Sequence, residues 1–226
     1  MGYRPRHTAG LFVYTISAIT SQKNRNFASE MKTADTLPKG ITIYCGSGTG
    51  NDPAFAQAAR AVGRAVAATD LPLIYGGGRM GMMYAAASAC REAGGETLSV
   101  IPSFMVDRGW DDKDSTYTIV TADMHSRKQT FASHCVGAIA MPGGIGTFEE
   151  LTELITWRQL GLYDGNIVIL NINGYYDALL AQLDAAIRAG FMPDDHSQLW
   201  HVTDDPADAV AAAVRANTRL SLKRKF

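Results

Sequence analysis

From residue 41 onward, short apolar runs alternate with longer segments of helical periodicity, and that alternation constrains the fold more tightly than any other feature of the chain. Ile41–Cys45 (ITIYC), Val136–Met141 (VGAIAM) and Ile167–Ile172 (IVILNI) are nearly continuous in apolar residues, the pattern of strands covered on both faces. Further strands are predicted over Leu73–Tyr75, Thr97–Ile101, Thr116–Thr121 and Trp200–Val202. One helix is predicted from the cap Asp52 and the first helical residue Pro53 to about Ala68. Others are predicted over Met80–Ala93, Asp123–His134, Thr147–Leu160, Tyr175–Ala189 and Pro206–Ala216. Strands and helices in this order make β-α-β units, so the expected fold is α/β, a Rossmann-like three-layer domain with a mainly parallel sheet. Ligands of such sheets bind beyond the carboxyl ends of the strands.

A length of 226 residues suits one domain of this kind. The formal charge of −1 argues against a chain that grips nucleic acid by bulk charge, and no nucleic-acid partner is expected. Cys45, Cys90 and Cys135 are far apart in apolar runs, and neither they nor the five histidines fall at metal-ligand spacing. A reducing, cytoplasmic compartment and no metal are therefore expected. Residues 1–39 are basic, and their one apolar run, Leu11–Thr20, is shorter than the ~20 residues that span a bilayer, so no membrane partner is expected. This segment is expected to be a flexible or processed extension. A start upstream of Met31, an organelle-targeting segment and a secretory signal stay open as its origin. Residues 40–218 are expected to form the Rossmann-like domain, and 219–226 a solvated basic tail.

Three Gly-rich turns follow three predicted strands: Gly46–Gly50, Gly76–Gly81 and Pro142–Gly146. Any one of them is explained by a tight turn or close helix packing. Three at the same sheet edge point to a backbone that approaches a phosphate. Gly76–Gly81 fits G-x-G-x-x-G, but the next strand runs into Pro102 and Ser103 where a dinucleotide site wants an acid, so a mononucleotide is expected rather than NAD. Arg127 and Lys128 lie in the first turns of a predicted helix, where the helix dipole disfavours cations. A bound phosphate, a carboxylate partner and plain solvation all remain open for this pair. Thr147 and Glu150 fit the capping box [ST]-x-x-[DE], which competes with a catalytic role for Glu150.

Pro142-Gly143-Gly144-Ile145-Gly146-Thr147-Phe148-Glu149-Glu150 matches P-G-G-x-G-T-x-x-E, and Met124-His125-Ser126-Arg127-Lys128 stands upstream of it. With Ile41-Tyr44-Cys45-Gly46-Ser47, the Tyr75–Gly78 turn, Trp157-Gln159-Leu160-Gly161 and Asn173-Gly174-Tyr175-Tyr176, the chain resembles the Lonely Guy (LOG) family of cytokinin-activating phosphoribohydrolases over about residues 41 to 192. The resemblance implies hydrolysis of the N-glycosidic bond of a nucleoside 5′-monophosphate, giving free base and ribose 5-phosphate. It implies catalytic roles for Arg127 and Glu150. Together with the glycine turns, it marks Gly46, Ser47, Gly77, Met124, Arg127, Lys128, Gly143, Gly144, Ile145, Gly146, Thr147, Phe148, Glu149, Glu150 and Thr156 as candidate substrate-binding residues. It further implies a homodimer or higher homo-oligomer, and no cofactor. Gly109 stands where the family often carries an acidic substrate-contacting residue.

Breaking a C1′–N9 bond builds cationic charge on the ribose, which a carboxylate stabilises while it orients water. Preferential action on cytokinin nucleotides, a looser AMP nucleosidase activity, and a non-catalytic nucleotide or cofactor carrier on the same fold are the three functions to separate. Arg127 together with Glu150 favours catalysis, because a carrier has no need of a carboxylate beside an anionic ligand.

Overall fold

In a computed structural model, residues 12–14 and 36–216 are described. The strands are β1 (Phe12–Tyr14), β2 (Gly40–Tyr44), β3 (Leu73–Tyr75), β4 (Thr97–Pro102), β5 (Tyr117–Thr121), β6 (Cys135–Ala140), β7 (Asn166–Leu170) and β8 (His201–Thr203). The helices are α1 (Pro53–Ala67), α2 (Gly81–Glu92), α3 (Ser103–Asp107), α4 (Met124–His134), α5 (Ile145–Gln159), α6 (Asp177–Arg188) and α7 (Pro206–Val214). The strands form one sheet in the order β1-β5-β4-β3-β2-β6-β7-β8, parallel from β5 to β8, with β1 antiparallel at the edge. This is the Rossmann-like α/β architecture expected.

Both sheet faces are covered, as the continuous apolar runs require. Ile41, Ile43 and Cys45 point into a core built with Ala58, Ala59 and Val62 of α1 and Met82, Ala86 and Cys90 of α2. Tyr44 points the other way, into a core with Phe131 of α4 and Leu151, Leu154 and Ile155 of α5. Strand β2 pairs with β3 on one side and β6 on the other, so the chain reverses its direction of travel across the sheet there. That switch point opens a crevice at the carboxyl edge. The three glycine turns lie along it.

Two expectations need correcting. Residues 1–39 do not stand wholly apart from the fold. Phe12–Tyr14 pairs with Thr118–Val120 on the outer edge of β5, where a short apolar run satisfies backbone groups that an edge strand leaves free. Leu37 is also buried in the core. The second correction concerns α5, whose cap is Gly144 and not Thr147. The Gly144 carbonyl takes the amides of Thr147 and Phe148 at 3.0 and 3.1 Å, so the helix begins three residues earlier than the capping-box spacing suggests. Glu150 is therefore not a capping residue. Helix α3 and strand β1 were not anticipated, being too short to carry a period. The basic tail at 219–226 lies outside the described residues.

Candidate active site

Helix α4 starts where Asp123 caps it: the Asp123 carboxylate accepts from the Ser126 amide at 2.8 Å, and the Ser126 hydroxyl meets the Asp123 amide at 3.2 Å. This reciprocal cap sets the phase of the helix, so that Arg127 turns inward under the sheet edge and is buried. Its guanidinium has three anchors. Nε donates to the Val100 carbonyl of β4 at 3.0 Å, and Nη2 to the Gly76 carbonyl beyond β3 at 3.2 Å. Nη1 faces Glu150 Oε1 at 3.5 Å. The Phe131 ring lies 5.0 Å below the guanidinium carbon. Glycine at position 76 leaves room for this seat, because a Cβ there would fall on Arg127 Nη2 and within 2.7 Å of Met83 Sδ and force those side-chain ends to shift.

Lys128, the next residue, ion-pairs with Glu149 and, at 3.1 Å, with Glu153, both from α5. Of the three explanations open for Arg127 and Lys128, the carboxylate partner is the one this structure contains. The Lys128 ammonium is held above its usual range by the Glu149 and Glu153 carboxylates. Burial pushes the Arg127 guanidinium down, against the pull of Glu150. Glu150 is pushed up to about 7, chiefly by burial. Arg127 and Lys128 oppose that rise, and Glu149 and Glu153 add to it. A carboxyl that titrates near neutrality within hydrogen-bonding range of a buried guanidinium is a pairing that enzymes use for proton and charge work.

Glu150 also borders a small cavity of about 10 Å³ with Tyr44, Lys128, Glu153, Leu154 and Trp157. A wider groove of about 460 Å³ between α4 and α5 shares Lys128, Glu153 and Trp157 with it and is further lined by His125, Gln129, Ser133 and Leu162.

The Pro142–Gly146 turn is braced from three sides. The Pro142 carbonyl accepts from the Gly46 amide at 3.0 Å, which ties this turn to the first glycine turn. The Tyr175 hydroxyl donates to the Gly143 carbonyl, and the Tyr176 hydroxyl to the Met141 carbonyl at 2.7 Å. Asn173, in the left-handed region at φ 52°, donates to Asp52 Oδ2 at 2.8 Å and locks the Asn173–Tyr176 turn onto the start of α1. Gly144 and Gly146 face open space, and helix geometry leaves the Ile145 and Gly146 amides without intrahelical acceptors. Free amides at a helix start are the kind of group that binds anions.

The structure thus gathers Gly46, Gly77, Arg127, Lys128, Gly143 to Thr147, Glu149 and Glu150 along one edge. Ser47 and Met124 are exposed near the same edge. Phe148 is packed against Tyr175 and Tyr176, with ring centroids 6.3 and 6.1 Å away. The Thr156 hydroxyl is engaged within its own helix, donating to the Thr152 carbonyl at 2.8 Å. Gly109, at φ 67°, lies in the exposed turn after α3. Tyr44 and Glu153 beside Glu150 were missed by the sequence reasoning. A tyrosine inside an otherwise apolar run was the available signal for the first, whereas Glu153 looks like any helix-surface acid. Among the described residues, no group of three or more His, Cys, Asp or Glu side chains is placed to hold a metal ion.

Comparison with known proteins gives a consistent picture. A family model described as a possible lysine decarboxylase matches residues 80–213. The cytokinin riboside 5′-monophosphate phosphoribohydrolase LOG5 of Arabidopsis thaliana is 40% identical over 162 residues, which cover 72% of this chain and 71% of that one. Among solved structures, the molybdenum cofactor binding protein of Rippkaea orientalis superposes with a TM-score of 0.58 at 20% identity, covering 78% of this chain and 96% of that one. The molybdenum cofactor carrier protein of Chlamydomonas reinhardtii superposes with a TM-score of 0.57 at 26% identity, covering 77% and 95%.

Proposed function

Since the chain belongs to the LOG family of cytokinin riboside 5′-monophosphate phosphoribohydrolases, we propose that it hydrolyses the N-glycosidic bond of nucleoside 5′-monophosphates, cytokinin riboside 5′-monophosphates and AMP among them. The products are a free base and ribose 5-phosphate. The observation that carries this reading is the buried Arg127–Glu150 pair set among three glycine turns.

The substrate's 5′-phosphate sits at the start of α5, on the Ile145 and Gly146 amides, with Gly46 and Gly77 shaping the crevice beside it. The reacting end of the ribose then lies at Glu150. As the C1′–N9 bond breaks, a water oxygen bonds to C1′, and the Glu150 carboxylate takes the water proton while facing the cationic ribose. The departing base gains a proton at nitrogen from solvent. Arg127, anchored by two carbonyls, holds the ribose with the donor it has left. Lys128 gives up Glu149 to reach the substrate. The ionised form of Glu150 is the working one, so the reaction requires that its proton be lost.

Residues 40–218 make up the catalytic domain in this reading. The α4–α5 groove, beside the exposed Met124, Leu160 and Leu162, is the face we assign to a second copy of the chain. Cys45, Cys90 and Cys135 are all buried and unpaired, which supports a reducing compartment such as the cytoplasm. Among the described residues, no helix is long and apolar enough to cross a membrane.

A carrier function is favoured by one observation, the likeness to the molybdenum cofactor carrier protein of Chlamydomonas reinhardtii. The two are separated by assaying ribose 5-phosphate release across a panel of nucleoside monophosphates, with and without N6 substituents. Release from AMP or an N6-substituted AMP is the expected result. Tight binding without release from any member of the panel supports carriage instead.

A further inference from the structure

Gly76, the seat of Arg127, is gripped on both sides by one residue. The Asp112 carboxylate accepts from the hydroxyl of Tyr75, the residue before Gly76, at 2.6 Å. The Asp112 amide donates to the carbonyl of Gly77, the residue after Gly76, at 2.7 Å. The hold extends along the turn, since Gly78 forms a bridge with Asp111 and the Arg79 amide donates to the Trp110 carbonyl at 3.2 Å. The segment 110–112 therefore lies against 77–79 as a short ladder.

Asp112 is itself fixed. Its carboxylate is almost wholly buried, takes an ion pair from Arg91 Nη2 of α2 at 3.1 Å, and accepts the Asp114 amide at 3.0 Å. Arg91 also lies 5.9 Å from the Tyr84 ring, which limits its own freedom. A buried carboxylate with three donors is rigid, because moving it leaves charges and donors unpaired in a low-dielectric surrounding. Nothing in this cluster reaches Arg127 directly. It reaches Arg127 only through the Gly76 carbonyl, one of the two carbonyls that aim the guanidinium.

The geometry points to Asp112 as a positioning residue for the proposed reaction: by holding Tyr75 and Gly77 it fixes the Gly76 carbonyl, and so keeps Arg127 facing Glu150. This rests on the phosphoribohydrolase reading for its catalytic consequence, whereas the placement of Arg127 stands on its hydrogen bonds. Loosening the turn lets the guanidinium drift from its 3.5 Å approach to Glu150. Glu150 is faced by Arg127 and Lys128 from α4, by Glu149 and Glu153 on its own helix, and by Tyr44 of β2 and Cys45 just after it. Arg127 is the leading opponent of its raised titration, so drift of that one cation moves the Glu150 midpoint further upward.

The test is Asp112→Asn, with Tyr75→Phe as the milder variant that deletes one hydroxyl and leaves the Asp112 backbone bond in place. In each, the acid limb of kcat/KM and the Glu150 carboxyl resonance by ¹³C NMR are followed across pH 5 to 9. An upward shift of both midpoints, with kcat down about tenfold, is the expected result. A folded variant with an unmoved Glu150 midpoint and kcat within twofold overturns the positioning role and leaves Asp112 a structural residue. If Asp112→Asn does not fold, Tyr75→Phe decides by the same criteria. Should the parent protein cleave no monophosphate, the function falls, and the NMR midpoint still reports whether Asp112 positions Arg127.

Discussion

Glu150 stands 3.5 Å from the Arg127 guanidinium and yet keeps its proton up to about pH 7. Burial outweighs the neighbouring cation. For a reaction that uses the carboxylate, kcat/KM is expected to climb as pH rises through about 7 and to level off above it. A pH–rate profile measured with AMP checks this. A flat profile between pH 5 and 8 excludes Glu150 as the ionising group.

Replacing Glu150 by Gln keeps size and hydrogen bonding but removes the charge. Single-turnover release of base is expected to fall by roughly a hundredfold or more, the usual scale for an electrostatic group aimed at a transition state. Because Glu150 does not cap α5, the loss cannot be ascribed to helix fraying. Near-normal release by a folded variant returns the carrier function to consideration.

The same carboxyl ties stability to pH. Its midpoint is raised from 4.5 in the unfolded chain to about 7 in the folded one, so the folded state binds the proton more tightly. The contribution is fully present below 4.5 and is lost as pH rises through 7. The melting temperature of the parent, measured relative to Glu150→Gln, is therefore expected to decline from pH 5 to pH 8. Calorimetry of both proteins in matched buffers reads it, and a parent that gains on Glu150→Gln as pH rises contradicts the assigned burial.

With the phosphate at the start of α5, a nucleoside is expected to be a far poorer substrate than its monophosphate. One charged hydrogen bond lost is typically ~1.5–3 kcal/mol, about ten- to a hundredfold, and several are lost together. Equal kcat/KM for adenosine and AMP removes the phosphate from that position.

Two neighbouring glycines separate packing from ligand contact. A Cβ at Gly143 would fall on Thr147 Oγ1 and within 2.8 Å of the Gly46 amide nitrogen, so Gly143→Ala is expected to distort the turn and lower the melting temperature. A Cβ at Gly144 meets nothing within 4 Å, and the backbone there is extended. Gly144→Ala is expected to fold normally and to raise KM for AMP, because the new methyl stands where the phosphate approaches. Unchanged KM in Gly144→Ala places the anion elsewhere.

Strand and helix order were legible because each rests on local code. Asp52 and Pro53 start α1 as their types require, with Asp52 Oδ1 taking the Ala54 amide at 2.8 Å. Glu150 was legible as a candidate catalytic residue through the resemblance, but not from its spacing alone, since Thr147–Glu150 imitates a cap that Gly144 in fact supplies. The anchors of Arg127 were illegible for another reason. Val100 and Gly76 contribute carbonyl oxygens, which every residue has, so no side-chain type announces them. Asp112 was equally hidden: it sits among Asp111, Lys113 and Asp114 in what looks like a solvated turn, and only the fold returns it to Tyr75, 37 positions earlier.

The three groups around the Arg127 guanidinium come from positions 51, 27 and 23 residues away along the chain. No hairpin or single helix holds them. They meet only when β3, β4 and the crossover into α5 have all docked, and parallel pairings of that span are slow to close. The seat of Arg127 is thus built by tertiary docking and not by any local segment, so the Arg127–Glu150 pairing is expected to return later than helical signal during refolding.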